Sequence, residues 1–518
     1  MIPPDSRPRR DDATPLLAAA IDIGSNAMRL RIASVGEDGH IKPLFAHREA
    51  VRLGADAFSS GVLRDETIAR TEEAFDRFRA ILNRYPIERL RATGTSALRE
   101  AANGDRLIAR IRKRFGITIE VIPGEEEGRL IHQAIYQRLP DLRKQRVLLI
   151  DVGGGSVEIT LCVRGTIVAL ESFRMGTVRL LNLFHAADDP DAFHHLLHEY
   201  IAAMRAKVRQ EIAGRRIDCC VGTGGNLETM ADLAVSLLER DRNNRLDYAA
   251  LDQLGERLEA LSCAERIERL GLRPDRADVI VPAVLVVKSV MELVGDVPLL
   301  VPGVGLAEGV LVDLLAPHLA DVTTMKRQAI AWAKSMARRF HADSGQARRV
   351  RRAARAFFDQ LRPLHRLKKR DRLLLQVAAI CHEIGMAVRS DGHQRHAAYL
   401  IEASPMVGLT GEERRLLARV VRGQRKAFPD RSALAGDFSE RDGDRIRKLA
   451  LLLRLAIAVN KERRDAVERI VCAMDDRGIH VELAGEGDMQ LEAWSLNKLS
   501  PLCREVFGLP IAAIRLLH

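Results

Sequence analysis

The chain has 518 residues, 47% hydrophobic and 29% charged, the balance of a globular protein too long for one core, so two to four domains are expected. Aromatics make up 4%, which argues against binding by base stacking, and no apolar run reaches the roughly 18 residues of a membrane span. The net charge of +11 is uneven: residues 321–470 hold 34 Lys and Arg against 17 Asp and Glu, and the rest of the chain is net acidic.

The opening MIPPDSRPRRDDATP is polar, proline-rich and without an apolar h-region. It predicts a disordered tail over 1–15, not a signal peptide. Next comes an apolar strand ending in Asp, Ala20-Ile21-Asp22, then the turn Ile23-Gly24-Ser25-Asn26, then an alternating strand. The pattern recurs at Leu149-Ile150-Asp151-Val152-Gly153-Gly154-Gly155-Ser156, followed by Val157-Glu158-Ile159. Each reads as a β-hairpin with a tight polar turn. Glycine lets the backbone approach a ligand, and successive N–H groups in such a turn can hold phosphate oxygens. The Asp at the strand end can hold a cation directly or through water. One such turn is weak evidence; two copies predict a duplicated architecture.

Between the hairpins, Ile68, Phe75, Phe78 and Leu82 recur at helical spacing, and Ile117–Ile122 alternates as a strand. Pro123-Gly124-Glu125-Glu126-Glu127-Gly128-Arg129 follows. Acidic residues at a helix start cap the dipole, but a carboxylate facing two phosphate-binding turns can also activate water. A third Gly-rich turn, Gly222-Thr223-Gly224-Gly225-Asn226, opens onto a helix, the arrangement of an anion site. A fourth, Pro302-Gly303-Val304-Gly305, follows the strand Val297–Val301 and precedes Glu308. Alternating strands and helices make this an α/β protein.

The segments D-I-G-S-N, G-T-S-A-L-R-E-A, P-G-E-E-E-G-R-L-I and D-V-G-G-G-S-V-E-I together resemble the exopolyphosphatase / guanosine pentaphosphate phosphohydrolase (Ppx/GppA) family, in order from about Ala18 to Leu315. The resemblance implies an actin-like duplicated core and removal of terminal orthophosphate from inorganic polyphosphate or guanosine pentaphosphate. Mg²⁺ is the implied cofactor, with Mn²⁺ as a substitute. Carried over residue by residue, it makes Glu127 the base, with Asp151 and Glu158 catalytic and metal-side. Asp22 becomes the metal-side residue of the first hairpin and Arg99 a phosphate clamp. Ser25, Asn26, Gly154, Gly155, Ser156, Gly224, Gly225 and Asn226 are expected to contact phosphate, mostly through backbone N–H. Glu308 either holds metal or caps the last helix of the lobe.

After about residue 320 the chain reads as helices. Leu373, Leu374, Val377, Ala378 and Cys381 form one stripe, followed by His382-Glu383, His393 and His396. This resembles the HD-type domain of longer family members. The His-Asp pair is His-Glu here, and its upstream partner could be His341 or His365, so a degenerate domain without metal chemistry is expected. Short strands are read at Ile479–Leu483 and Met489–Trp494. The expected domains are lobe I over 16–138, lobe II over 139–317, the helical HD-like domain over 318–442 and a small α/β domain over 443–518.

The basic runs 348–355 and 366–372 either form a solvated face or attract a polyanion. They favour polyphosphate over the nucleotide. A superfamily kinase and a non-catalytic polyphosphate sensor are the weaker readings, disfavoured by the E-E-E-G-R segment and by intact Glu127, Asp151 and Glu158. Seven cysteines without C-x-x-C spacing read as reduced thiols in a cytoplasmic protein. A homodimer is expected, with no membrane contact and no specific nucleic acid.

Overall fold

The computed structural model describes residues 16–36, 40–184, 190–212, 214–315, 324–404 and 408–517. The expected tail, 1–15, lies outside the described residues.

Two sheets are built to one plan. In the first, β1 (Leu17–Ile23) and β2 (Met28–Val35) form an antiparallel hairpin, and β3 (Ile41–Glu49) adds antiparallel beside β2. On the other side of β1, β4 (Arg89–Gly94) and β5 (Ile119–Val121) pair in parallel. The second sheet repeats this with the hairpin β6 (Arg146–Val152) and β7 (Val157–Val163), with β8 (Thr166–Phe173) on its outer side and β9 (Cys219–Thr223) parallel to β6. β10 (Arg245–Leu246) and β11 (Leu299–Leu300) complete the order β10-β11-β9-β6-β7-β8. The hairpin registers coincide: Asp22 faces Arg29, and Asp151 faces Glu158. This is the duplicated actin-like α/β core.

Sequence and packing agree along these elements. β1, LAAAIDI, is buried throughout, as a strand in the middle of a covered sheet must be. Ile68, Phe75, Phe78 and Leu82 all lie on the buried face of the helix Asp65–Leu82 and share one core with Ile21, Ile23 and Leu30. The second lobe has its own core, in which Ile150 and Ile159 meet Leu227 and Val284. The strand expected over Ile117–Ile122 shortens to Ile119–Val121, because it is an edge strand paired only with β4.

The chain divides into two compact units, Met1–Val322 and Thr323–His518. The second is helical, with a small sheet of β12 (Arg469–Asp475), β13 (Gly478–Ala484) and β14 (Ile511–Leu517). Its helix Glu440–Ala458 starts where the Ser439 hydroxyl accepts the Asp442 amide at 3.1 Å, and it runs unbroken. The expected boundary at 442/443 therefore falls inside its first turn. Met489–Trp494 is not a strand. Asp488 caps the amide of Gln490 at 2.9 Å, Leu496 is buried and the segment coils as the helix Gln490–Asn497. The third strand of the sheet is β14. Among the described residues, no helix is long and apolar enough to cross a membrane.

Candidate active site

The two hairpin turns and the amino terminus of the helix Gly225–Leu238 enclose a cleft of about 120 Å³. The turns are equivalent in detail: Gly24 N donates to Ala27 O at 3.1 Å, and Gly153 N donates to Ser156 O at 3.0 Å. They also touch. A Cβ on Gly154 would lie 3.1 Å from Ser25 Cβ and 3.2 Å from Asn26 N, and one on Gly155 would collide with Ser96 Oγ. Glycine is thus required at Gly155 for the lobes to meet, and at Gly154 a side chain would press on Ser25 and the Asn26 backbone. Gly224 has φ +98°, and its Cβ would sit 2.6 Å from Val152 O. The helix that follows has no side-chain cap, so its first turn presents amides to the cleft.

Four carboxylates form the acidic side, Asp22, Glu127 and Glu158 buried and Asp151 half-buried. Asp22 is pushed up to about 6 by burial, with the charges of Glu308 and Asp151 adding to it and Arg29, 3.3 Å away, opposing. Burial also raises Asp151, although the Thr223 hydroxyl donates to it at 2.5 Å. Glu158 is pushed up to about 8 by burial and by Asp151. Its Oε1 accepts from Ser172 Oγ at 2.7 Å, and its Oε2 is buried without a hydrogen-bond partner. Glu127, in the first turn of the helix Gly124–Arg138, is raised well above the ordinary carboxylate range by burial and by Glu158, against the pull of Arg99.

Asp22, Ser25, Asn26, Glu127, Asp151 and Ser156 line the cleft, together with the predicted glycines Gly154, Gly155, Gly224 and Gly225 and with Asn226. Two expected residues stand behind that wall. Arg99 does not line the cleft: it donates to Ile122 O and, at 3.2 Å, to Glu127 Oε1, so it holds the carboxylate. Glu158 lies 1% exposed beside Asp151, its partner across the β6–β7 pair. Of its two alternatives, Glu308 shows the helix cap. Its Oε2 accepts Gly305 N at 2.9 Å as a cap, and its Oε1 accepts Arg31 Nε at 2.6 Å at the cleft wall.

The basic side was not read from the sequence. Arg29, Arg48 and Arg276 line the cleft. Arg276 is drawn down to about 10, first by burial and then by the crowding of Arg48. It donates to Asn226, while Arg48 pairs with Asp275. Arg29 had a signal, since it occupies in β2 the register that Glu158 occupies in β7. Arg48 and Arg276 come from an edge strand and from a four-residue helical turn, Pro274–Ala277, with no motif around them. An arginine wall opposite a carboxylate floor suits a phosphate chain attacked by an activated water.

In the second unit, His382 is buried with Nδ1 bonded to Ala379 O at 2.8 Å, and Glu383 pairs with Arg463. His365 is occupied by Phe358 O and Leu367 N, at 2.8 and 2.9 Å. Among the described residues, no three His, Cys, Asp or Glu side chains group closely enough to hold a metal ion. In the basic runs, Arg352 pairs with Asp465, Arg370 with Glu413 and Arg372 with Asp359.

Fold and cleft define a phosphohydrolase on an actin-like core. The family described as the Ppx/GppA phosphatase family matches residues 32–318, and its domain III matches residues 330–499. The chain belongs to the Ppx/GppA phosphatase family and is a hydrolase of phosphoanhydride bonds. It is similar to an exopolyphosphatase from Cytophaga hutchinsonii, at 29% identity and TM-score 0.54, over 58% of this chain and 98% of that one. It is also similar to the Ppx/GppA family member of Aquifex aeolicus, at 26% identity and TM-score 0.51, over 59% and 99%.

Proposed function

We propose that the chain is an exopolyphosphatase that releases terminal orthophosphate from inorganic polyphosphate, with Glu127 as the base. The observation that carries this is a buried carboxylate with raised proton affinity, facing two phosphate-binding turns and an arginine wall. A general base works best when its proton affinity approaches the working pH.

A divalent cation fits the carboxylates. Asp22, Asp151 and Glu158 offer hard oxygens, and Glu158 Oε2 is a buried acceptor without a partner. Mg²⁺ takes one or two carboxylates and completes its shell with water and substrate phosphates. Asp151 and Asp22 would hold it, Glu158 would support Asp151, and the ion would supply charge neutralisation at the phosphates. Mn²⁺ has the same ligand preference.

The chain's own residues do the rest. The amides of the two turns and of the Gly225–Leu238 helix orient the terminal phosphate. Arg29, Arg48 and Arg276 offset its charge. Water attacks the terminal phosphorus, its proton passes to a Glu127 carboxylate oxygen and the bond to the next phosphate breaks. Orthophosphate leaves, together with a chain one unit shorter. Arg99 fixes the Glu127 carboxylate for this step and stabilises its charged form. The test is orthophosphate release from polyphosphate by the purified chain with Mg²⁺. Release from internal positions, giving mid-length fragments first, would overturn the terminal mode of attack.

A further inference from the structure

The glycine turn between β6 and β7 is held from behind. Three of its successive carbonyls point at the start of the helix Thr177–Phe184. Gly153 O accepts Thr177 N at 3.0 Å, and Gly154 O accepts Val178 N at 2.9 Å and Arg179 N at 3.1 Å. Gly155 O accepts a side chain, Arg179 Nε, at 2.9 Å. The approach is close, since a Cβ on Gly176 would run into the Gly154–Gly155 peptide. A peptide is planar and trans, so its N–H points opposite to its C=O. With these carbonyls fixed on the helix, the amides of Gly154, Gly155 and Ser156 face the other way, and all three residues line the cleft. Backbone sets the first two peptides. The third, Gly155–Ser156, depends on the Arg179 side chain.

That side chain is itself anchored. Arg179 Nη2 donates to Glu100 Oε1 at 2.7 Å, and its guanidinium lies 4.0 Å from the centre of the Phe58 ring. We propose that Arg179 is a positioning residue for the hydrolysis: held by Glu100 and Phe58, it turns the Gly155–Ser156 peptide so that the Ser156 amide donates to the phosphoryl group under attack. The proposal rests on the reading of the cleft as the site of phosphoanhydride hydrolysis. Arg179 does not line the cleft, so it acts through the peptide and not on the substrate. A guanidinium suits this task. Its planar fork bonds Gly155 O with one nitrogen and Glu100 with another, and its face stacks on an aromatic ring. An amide fixed in advance toward developing charge needs no reorganisation when the charge appears. The role also accounts for Glu100, the glutamate of the G-T-S-A-L-R-E-A segment.

The experiment uses the full chain with Mg²⁺ and two readouts. One is orthophosphate release from inorganic tripolyphosphate. The other is calorimetric binding of orthovanadate, which adopts the five-coordinate geometry of a phosphoryl group in transfer. Arg179→Met, Arg179→Lys and Glu100→Gln are compared with the parent, each with its melting temperature. Arg179→Met keeps a stem on Phe58 and loses both donors. It is expected to lower kcat about tenfold or more and to weaken vanadate by the same factor. KM should stay within about threefold, because Arg29, Arg48 and Arg276 still hold the phosphate chain. Arg179→Lys should recover only part of the loss, since an ammonium lacks the fork. Glu100→Gln keeps an acceptor, so it should lower kcat in the same direction by less, and it carries the test if Arg179→Met does not fold. Full recovery in Arg179→Lys would reduce the role to charge and overturn the positioning. Parental kcat in Arg179→Met and Glu100→Gln, or a rise in KM alone, overturns it too. If the parent releases no orthophosphate, the phosphatase reading falls, and equal vanadate affinity in parent and Arg179→Met overturns the positioning separately. A parent that neither cleaves nor binds vanadate overturns both.

Discussion

Glu126 and Glu127 share one helical turn and carry different loads. Glu126 accepts Arg129 through two bonds of 2.7 Å and lies 3.5 Å from Arg91, a network that Asp313 joins. Glu127 faces the cleft with Arg99 behind it. Glu127→Gln is expected to fold, to bind polyphosphate and to lose about a hundredfold or more in turnover, because an amide cannot take the water's proton. Glu126→Gln should instead lower the melting temperature and largely spare turnover. Orthophosphate release and thermal melts on the two variants distinguish the roles; near-parental turnover in Glu127→Gln would refute the base. Glu158 gives a second prediction at this scale. Its carboxyl keeps its proton up to about pH 8 in the fold, against an ordinary 4.5. Between those values the folded chain binds more protons than the unfolded one, so stability falls as pH rises through that window. In EDTA the melting temperature should therefore be lower at pH 8 than at pH 5, and Mg²⁺ should raise it more at pH 8. Glu158→Gln should flatten the pH dependence. A metal-free chain more stable at pH 8, with no change in Glu158→Gln, would contradict the assignment.

Among the elements, the turn between β9 and the helix Gly225–Leu238 is the one most dependent on a single residue. Gly224 has φ 98° and ψ 148°, a region essentially closed to other residues, and its missing side chain leaves room for Val152 O. Gly224→Ala should cost about 2 kcal/mol or more in denaturant unfolding and weaken phosphate binding beyond that loss, since the helix amides move with the turn. An alanine variant of parental stability would show that the turn relaxes freely. This turn and both hairpins were legible because glycine clusters at strand ends are local signals. The arginine wall was not. Arg48 reaches the cleft only through the pairing of β3 with β2, and Arg276 only through the burial of a four-residue turn against Asn226; both are products of tertiary packing with no spacing of their own. The contact of Arg99 with Ile122 O and Glu127 was not legible for the same reason: it arises from tertiary packing and has no spacing of its own. Met489–Trp494 failed differently. Six residues are too few to separate strand from helix periodicity, and the segment coils with Leu496 turned into the core.

At the scale of the whole molecule, the chemistry and the charge reside in different units. Every residue that lines the cleft precedes Leu315, while the basic excess lies in 321–470. Within that excess several arginines are spent on local pairs, Arg352 with Asp465 and Arg372 with Asp359 among them. Arg351 is also crowded: it is drawn down by burial first and then by the charges of Arg355 and Arg372. Like charges held close on neighbouring helices raise the local potential and favour a polyanion. A long phosphate chain engaged there would stay tethered after each cleavage, so its new end would return to the active site at high effective concentration, whereas a chain of three phosphates offers few charges for such a surface to engage. The exposed Arg348, Arg355 and Lys369 can be reversed to Glu without disturbing a core. In that triple variant, KM for chains of hundreds of units should rise about tenfold, processivity should fall and the slope of affinity against salt should flatten. Tripolyphosphate kinetics should be unchanged. If long and short chains respond alike to the substitutions and to salt, the basic runs are a solvated face, and hydrolysis of long chains depends on the first unit alone.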